Sequence, residues 1–239
     1  MPLPTIVTPS YELELPSTGK KVKYRPFLVK EEKLLVLALE TESTKDISTA
    51  IKTVLKTCIQ SRGVKVENLP TFDIEYLFLN IRGKSVGEEV EVNLIAPDDE
   101  VTEVPVTINI DDIKIQKSEE HTNKVKLDDA LIMEMKYPSL DQFIKSNFDF
   151  DDKVSMDQSF DLIASCIDKI YNAEEVWSTA DCTKKEVKDF LEQMNSMQFK
   201  EIEKFFETMP KLSHSVTFKN PKTKVESTVV LEGLSSFFA

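Results

Sequence analysis

The chain has 239 residues, of which 41% are hydrophobic and 30% are charged, and this balance predicts a folded globular protein with a substantial core. The sequence contains no run of about eighteen apolar residues, which argues against a membrane-spanning role. Its formal net charge of −12 argues against general nucleic-acid binding, because affinity for phosphates comes mainly from a basic surface.

The first 29 residues predict an N-terminal β-hairpin. The stretch YELELPSTGKKVKYRPF (residues 11–27) alternates in polarity on both sides of a turn at residues 16–19. The first fifteen residues show no basic region followed by an apolar core and a small-residue cleavage site, as an export signal would. We therefore expect a protein of the cytoplasm.

Residues 30–85 predict a helical segment, because their apolar residues recur at helical spacing. The recurring positions are Leu34, Leu35, Leu37 and Ala38 in a first helix, Ile47, Ile51, Val54, Leu55 and Cys58 in a second, and Ile74, Leu77, Phe78 and Ile81 in a third. Thr71 is the predicted N-cap of the third helix, and Gly83 is its predicted end.

The triplet Gly83-Lys84-Ser85 matches the end of a phosphate-binding loop, but its surroundings do not. Such a loop requires a glycine five residues before the triplet, so that backbone N–H groups can wrap the phosphates, and that position is Phe78. The loop should also follow a strand and open a helix, whereas Gly83 closes a predicted helix. We therefore predict no nucleotide site.

Residues 86–137 predict an acidic antiparallel β region. Residues 90–94 alternate between apolar and polar side chains, residues 96–100 (APDDE) form a turn, and residues 104–110 alternate back. Further strands are predicted within residues 125–137, after a polar loop.

The acidic charge is concentrated in the same region. Residues 86–120 contain eleven acidic residues and two lysines, a local net charge of −9. Two interpretations remain open: this face is a solvated surface, or it is a docking face for a basic partner.

Residues 138–210 predict a helical bundle. Ser155 with Gln158, and Thr183 with Glu186, form capping-box pairs at two predicted helix starts. The apolar stripes are Phe160, Ile163, Ile167 and Ile170, then Val187, Phe190, Leu191 and Met194, then Ile202, Phe205, Phe206 and Met209 before Pro210. Such stripes are typical of a packed core.

Residues 211–239 predict a C-terminal β-hairpin with its turn at residues 220–223, followed by an apolar tail that contains Leu234, Phe237 and Phe238. The tail either folds back onto the protein's own core or docks into a groove of a partner. Together the elements predict the α+β class, in which small antiparallel β elements combine with a helical bundle.

The sequence lacks the motifs of enzymes and metal sites. The two histidines, His121 and His214, are isolated, and the three cysteines, Cys58, Cys166 and Cys182, form no C-x-x-C pair. We therefore predict no catalytic residue, no metal and no cofactor. A ligand- or metal-binding enzyme domain assembled from scattered residues is a remote alternative, and an oligomer stays open.

Three stretches resemble the baseplate hub assembly proteins of T4-like bacteriophages: TFDIEYLFLNIRGKSVGE at residues 71–88, the acidic hairpin that follows it, and VVLEGLSSFF at residues 229–238. The resemblance covers most of the chain. It implies a viral, non-enzymatic protein that is made in the infected bacterium and is needed to build the central hub of the tail baseplate.

The resemblance leaves two roles open. The protein is either a chaperone that holds a hub component or the tape-measure protein and then leaves, which we prefer, or a structural subunit retained in the tail of the virion. We expect partners among the phage tail proteins, and neither nucleic acid nor a membrane. The candidate partner-binding residues are Leu234, Phe237, Phe238, Phe205, Phe206 and Met209.

The turns of the two later hairpins resemble the tips of a zinc ribbon in outline. Asn220 and Thr223 stand at C-x-x-C spacing, and APDD at residues 96–99 makes a similar turn. The thiolates that zinc requires are missing, so we predict no metal there and expect packing alone to hold both hairpins.

Overall fold

The computed structural model describes residues 6–41, 43–140, 142 and 156–237. These residues form six α-helices and eleven β-strands in small antiparallel sheets, which confirms the predicted α+β class. The helices are α1 (Val29–Glu40), α2 (Thr44–Cys58), α3 (Thr71–Val86), α4 (Met156–Ser165), α5 (Lys184–Glu192) and α6 (Ser196–Thr208). The strands are β1 (Tyr11–Glu14), β2 (Lys21–Tyr24), β3 (Glu89–Ile95), β4 (Glu103–Asn109), β5 (Lys114–Gln116), β6 (Lys124–Lys126), β7 (Ile132–Met135), β8 (Ile167–Tyr171), β9 (Val176–Ser178), β10 (Lys211–Lys219) and β11 (Glu226–Glu232).

All three predicted hairpins are present. Strand β1 pairs with β2, β3 pairs with β4, and β10 pairs with β11 and also with β5. In β3 the side chains alternate between exposed and buried along the whole strand, because one face packs on the core and the other meets solvent. The period-two pattern of the sequence therefore predicts this strand correctly.

Helix α3 is longer than predicted at its C-terminal end. It begins at Thr71 with Pro70 as its N-cap and continues through Gly83 to Val86, so the predictions that Thr71 is the cap and that Gly83 ends the helix are wrong. A Cβ atom at Gly83 would lie 3.0 Å from Ile110 Cδ1. Close packing against Ile110 therefore accounts for this glycine, and Gly87, with φ of +132°, caps the helix instead.

The first core joins parts that are distant in sequence. Buried residues of the N-terminal hairpin, α1 to α3, the β3–β4 hairpin, the β5–β10–β11 sheet and the C-terminal segment form one cluster. Helix α3 lies at its centre, with ten of its sixteen residues buried. A helix buried on most sides carries apolar residues all round, which explains its weak amphipathic pattern.

The second core lies on a four-stranded sheet of order β6-β7-β8-β9, covered by α4, α5 and α6. Its buried residues extend from Val125 to Phe205. Ring contacts join the two cores: Phe72 on α3 meets Tyr137 edge-on, with 5.0 Å between the ring centroids.

The prediction that Ile167 and Ile170 continue a helical stripe is wrong. Helix α4 ends at Ser165, and both isoleucines lie in β8, which pairs with β7. A spacing of three residues suits a helix, but β-branched side chains also suit a strand, and pairing with β7 decides between them.

The capping-box predictions have different outcomes. The Thr183–Glu186 box is confirmed, since the Thr183 N–H donates to Glu186 Oε2 at 2.7 Å and the Glu186 N–H donates to Thr183 Oγ1 at 3.3 Å. Ser155 of the other predicted box lies outside the described residues.

Candidate partner-binding surfaces

Three of the six candidate residues lie at the C-terminal end of α6. Asn195 and Gln198 start this helix with a capping box, and Pro210 follows its last turn. Phe205 is buried in the second core, whereas Phe206 and Met209 are partly exposed. Adjacent helical residues differ in direction by about 100°, so Phe205 packs inward while Phe206 reaches the surface.

Phe206 and Met209 meet at a groove between the two cores. The groove has a volume of about 320 Å³ and is lined mainly by apolar side chains. Besides these two residues its apolar lining consists of Pro138, Leu162, Pro210 and Leu212. Its volume is at the low end of the roughly 300–1,000 Å³ of ligand pockets, which suits an inserted side chain.

Charged residues also line the groove. Glu75 and Glu232 contribute carboxylates, and Lys211 lies 3.8 Å from Glu232. This ion pair is solvent-exposed, so its effect on stability is small. The groove therefore combines apolar walls with a slightly acidic edge.

The C-terminal candidates lie elsewhere. Leu234 and Phe237 are fully buried in the first core, as in the interpretation that the tail folds back on the protein. The Gly233 N–H donates to the Leu212 carbonyl at 2.9 Å, which turns the chain back after β11. Phe238 lies outside the described residues.

A second exposed apolar surface lies on α1 and was not predicted. Val29, Leu34, Val36, Leu37 and Leu39 expose between 38% and 79% of their surface, whereas the sequence pattern alone indicates a core helix. We call these five residues the α1 patch. The signal in the sequence is VKEEKLLVLALE (residues 29–40), whose apolar residues surround the helix instead of following one stripe.

Helix α1 is anchored at its N-terminal end. Glu31 is buried and accepts a hydrogen bond from Arg25 at 2.9 Å and one from the Leu28 N–H at 2.8 Å. Burial opposes ionisation of Glu31, but these bonds outweigh it and lower the pKa of the carboxyl group. The helix is therefore held in place while its outer side meets solvent.

The two zinc-ribbon-like turns meet through hydrogen bonds. Asn220 is fully buried, and its Nδ2 lies 3.1 and 3.2 Å from the carboxylate oxygens of Asp98 and 3.1 Å from Asp99 Oδ2. Thr223 also donates to Asp98. The prediction that packing alone holds these hairpins is therefore wrong.

The turn at Asp99 is stabilised locally as well. Its carboxylate accepts bonds from the Thr102 hydroxyl and backbone N–H and from the Val101 N–H, which together with Asn220 hold the pKa of Asp99 well below its usual range. Two of the acidic residues of this region thus have internal partners.

His121 has partners that its sequence position does not indicate. Its Nδ1 lies 3.0 Å from Thr208 Oγ1 and its Nε2 lies 2.9 Å from the Tyr137 hydroxyl. Because Thr208 donates its hydroxyl proton to the Lys204 carbonyl, Nδ1–H is the donor to Thr208, and Nε2 accepts from Tyr137. The histidine thus has a structural role beside Phe205, and Thr208 is not activated as a nucleophile.

Metal and thiol chemistry find little support in the part of the chain that the structure describes. Within it, no group of three or more His, Cys, Asp or Glu side chains is placed to hold a metal ion. Burial raises the pKa of both Cys58 and Cys166 to about 11, which keeps these thiols protonated near neutral pH. No helix of the same part is long and apolar enough to cross a membrane.

Comparison with known proteins gives one match. The family model described as T4 bacteriophage base plate protein matches residues 8–239, which is nearly the whole chain. Searches of the curated proteins and of the solved structures find no match.

Proposed function

Because the chain belongs to the T4 bacteriophage base plate protein family, we propose that it is a non-enzymatic assembly protein that holds another tail protein while the baseplate hub is built. Family membership supports a role in the phage baseplate and, with it, contacts to other tail proteins. The proposal adds the manner of action, which is capture and release of a hub component or of the tape-measure protein in the host cytoplasm.

The observation that carries the proposal is the groove at Phe206 and Met209. Transfer of an apolar side chain of the client from water into such a groove lowers the free energy of the system and therefore favours binding. Met209 is unbranched and adapts to side chains of different shape, which suits a protein that must bind and then release its client.

The size of the surface favours a transient complex. A retained hub subunit would need a large and mainly apolar interface, typically above about 2,000 Å² in total. The groove is a small recess between the two cores, and a client segment can leave it without exposing either core. Retention in the virion as a structural subunit is the alternative, and the following experiment distinguishes the two.

The experiment is co-purification from phage-infected cells with the tagged protein, followed by mass spectrometry of cytoplasmic complexes and of purified particles. We expect the protein to be recovered with a hub or tape-measure protein and to be missing from finished particles. Recovery from particles at fixed stoichiometry would make it a structural subunit.

A matched pair of variants tests the groove itself. The double variant Phe206→Ser/Met209→Ser should weaken binding of the client by roughly thirtyfold or more, since truncated anchor residues typically cost about 1 kcal/mol or more each. Met197→Ser is the control, because Met197 lies on the same helix, is 79% exposed and does not line the groove. Equal recovery with both variants would show that the client binds elsewhere.

A further inference from the structure

The second core lies in a part of the chain that is inserted between two neighbouring strands of the first. Strands β5 and β10 are antiparallel, and Gln116 at the end of β5 pairs with Lys211 at the start of β10. The chain therefore leaves the first core and returns to it at positions only about 5 Å apart. We call the described residues among 118–208 the inserted lobe, and the described residues among 6–117 and 211–237 the main lobe.

We propose that the inserted lobe rotates as one body on the main lobe, and that this rotation sets the width of the groove at Phe206 and Met209. The rotation itself is independent of the proposed function, whereas its part in capture and release of a client rests on that function. Relative motion of two lobes is expected unless a large apolar interface joins them. The contacts within each lobe and between the lobes support such motion.

Each lobe has a core of its own. The buried residues of the second core all lie between Val125 and Phe205, within the inserted lobe. Of the described residues of that lobe, only Leu140 belongs to the first core. The described helices and strands that pack closely on one another belong to the same lobe, so contacts between the lobes are sparse. The inserted lobe can therefore change its position while the second core stays intact.

The chain passes into the inserted lobe between Lys117 and Ser118. Lys117 Nζ donates to the Pro16 carbonyl, which holds Lys117 on the main lobe. The next four residues form a turn that is closed by a hydrogen bond of 3.2 Å from the His121 N–H to the Ser118 carbonyl. Both nitrogen atoms of the His121 ring then bond to side chains of the inserted lobe. Hinges typically lie in such loop residues, whose φ and ψ angles absorb the motion.

The chain returns through Met209 and Pro210. Helix α6 ends at Thr208, and Lys211 already pairs with Gln116 in the main lobe. Met209 has non-helical backbone angles, with φ of −58° and ψ of 150°. The two connections lie side by side because they continue from paired strands. They form a neck about which the inserted lobe can rotate.

The walls of the groove belong to different lobes. Pro138, Leu162 and Phe206 come from the inserted lobe, whereas Leu212 and Gly233 come from the main lobe. Rotation about the neck therefore moves one wall relative to the other. A wider groove would admit a side chain of the client and a narrower groove would hold it, so one motion serves both capture and release.

Leu140 and Tyr137 attach the inserted lobe to the main lobe. Leu140 is 3% exposed and packs in the first core, and Tyr137 meets the Phe72 ring of α3 edge-on. Both residues lie beside Pro138, which lines the groove. These contacts hold the two walls together, so truncation of Leu140 should favour a wider groove.

The test is double electron–electron resonance between two nitroxide labels on the full chain. Cys182 is exposed on the inserted lobe and carries one label, whereas the buried Cys58 and Cys166 stay unlabelled. Val101→Cys places the second label on the main lobe, at the turn between β3 and β4, where Val101 is 75% exposed. The control pair is Val29→Cys/Val101→Cys with Cys182→Ser, in which both labels lie on the main lobe and Val29 is 79% exposed.

We expect the pair across the lobes to give a distance distribution that is wider than that of the control pair by more than about 2 Å, the size of a domain rearrangement. Leu140→Ala should widen the distribution across the lobes further, because most of the anchoring side chain is removed. Leu191→Ala is the matched control, since Leu191 is 2% exposed and packs in the second core away from the main lobe. Circular dichroism checks that both variants are folded.

Equal widths for the two label pairs would overturn the inference, and so would a Leu140→Ala distribution that matches that of Leu191→Ala. Recovery of the client is a separate measurement. If the lobes move but Phe206→Ser/Met209→Ser recovers as much client as Met197→Ser does, the rotation stands and capture in the groove fails. If the lobes are rigid but the groove variant loses its client, capture stands and the rotation fails.

Discussion

Substitution of alanine for Phe237 tests whether the C-terminal segment is part of the first core. The Phe237 side chain is fully buried and lies in a short 3₁₀ helix that spans Leu234–Phe237. Removing a buried phenylalanine ring typically costs about 3–5 kcal/mol, because the protein loses both the transfer free energy of the ring and the contacts around the cavity. We expect this loss in the free energy of unfolding of Phe237→Ala.

The assay is equilibrium unfolding in urea, supported by thermal melting. For a chain of this size each kcal/mol lowers Tm by roughly 2–4 °C, so Phe237→Ala should melt about 10 °C below the wild type. Val230→Ala is the control, because Val230 lies on the preceding strand β11 and is 55% exposed. A loss below about 1 kcal/mol for Phe237→Ala, similar to that of the control, would refute the buried position and return the ring to the interpretation of a partner-docking tail.

Three further predictions concern other parts of the molecule. Asn220→Ala should lower the free energy of unfolding by about 1–3 kcal/mol, since it removes the fully buried amide whose hydrogen bonds join the two turns, and thermal melting at neutral pH measures the loss. Burial lowers the pKa of His121, so the unfolded chain binds a proton at this residue more tightly than the folded chain does. The contribution of His121 to the free energy of unfolding should therefore be complete above the unfolded pKa of about 6.5 and should decrease as the pH falls below that value. Urea unfolding at several pH values should therefore show a flatter profile for His121→Phe than for the wild type. Gly87→Ala should cost about 1–3 kcal/mol through backbone strain, because φ is +132° there and no neighbouring atom lies within 4 Å of the added Cβ; an unchanged urea midpoint would contradict this account.

Local sequence patterns were sufficient to predict the secondary structure wherever the conformation of a residue depends mainly on its near neighbours in the chain. The alternation in residues 90–94 predicts β3 and its buried face, because successive side chains of a strand point to opposite sides. The capping box at Thr183 predicts the start of α5 for a similar reason, since the bonds that define it lie within four residues. The α+β class follows from the succession of such segments.

Predictions failed where a distant segment decides the outcome. Gly83 looks like a helix end by its identity, but Ile110 packs against it and the helix continues. Ile167 has helical spacing from its neighbours, yet pairing of β8 with β7 places it in a strand. At Gly83 the two conformations compared are helix end and helix continuation, and at Ile167 they are helix and strand. In both cases the local free-energy difference between the two conformations is smaller than the free energy that the tertiary contact supplies.

For the candidate binding surfaces, too, the sequence predicts some features and the tertiary structure decides the others. The sequence by itself determined that this is an α+β chain with apolar helices, an acidic hairpin and a resemblance to phage baseplate proteins. Only the tertiary structure decided which apolar residues remain accessible: Phe237 is buried, Phe206 and Met209 line a groove, and Val36 and Leu37 are exposed on α1. Hydrophobicity belongs to a residue, whereas exposure depends on which other parts of the chain cover it, and those parts here lie up to two hundred residues away.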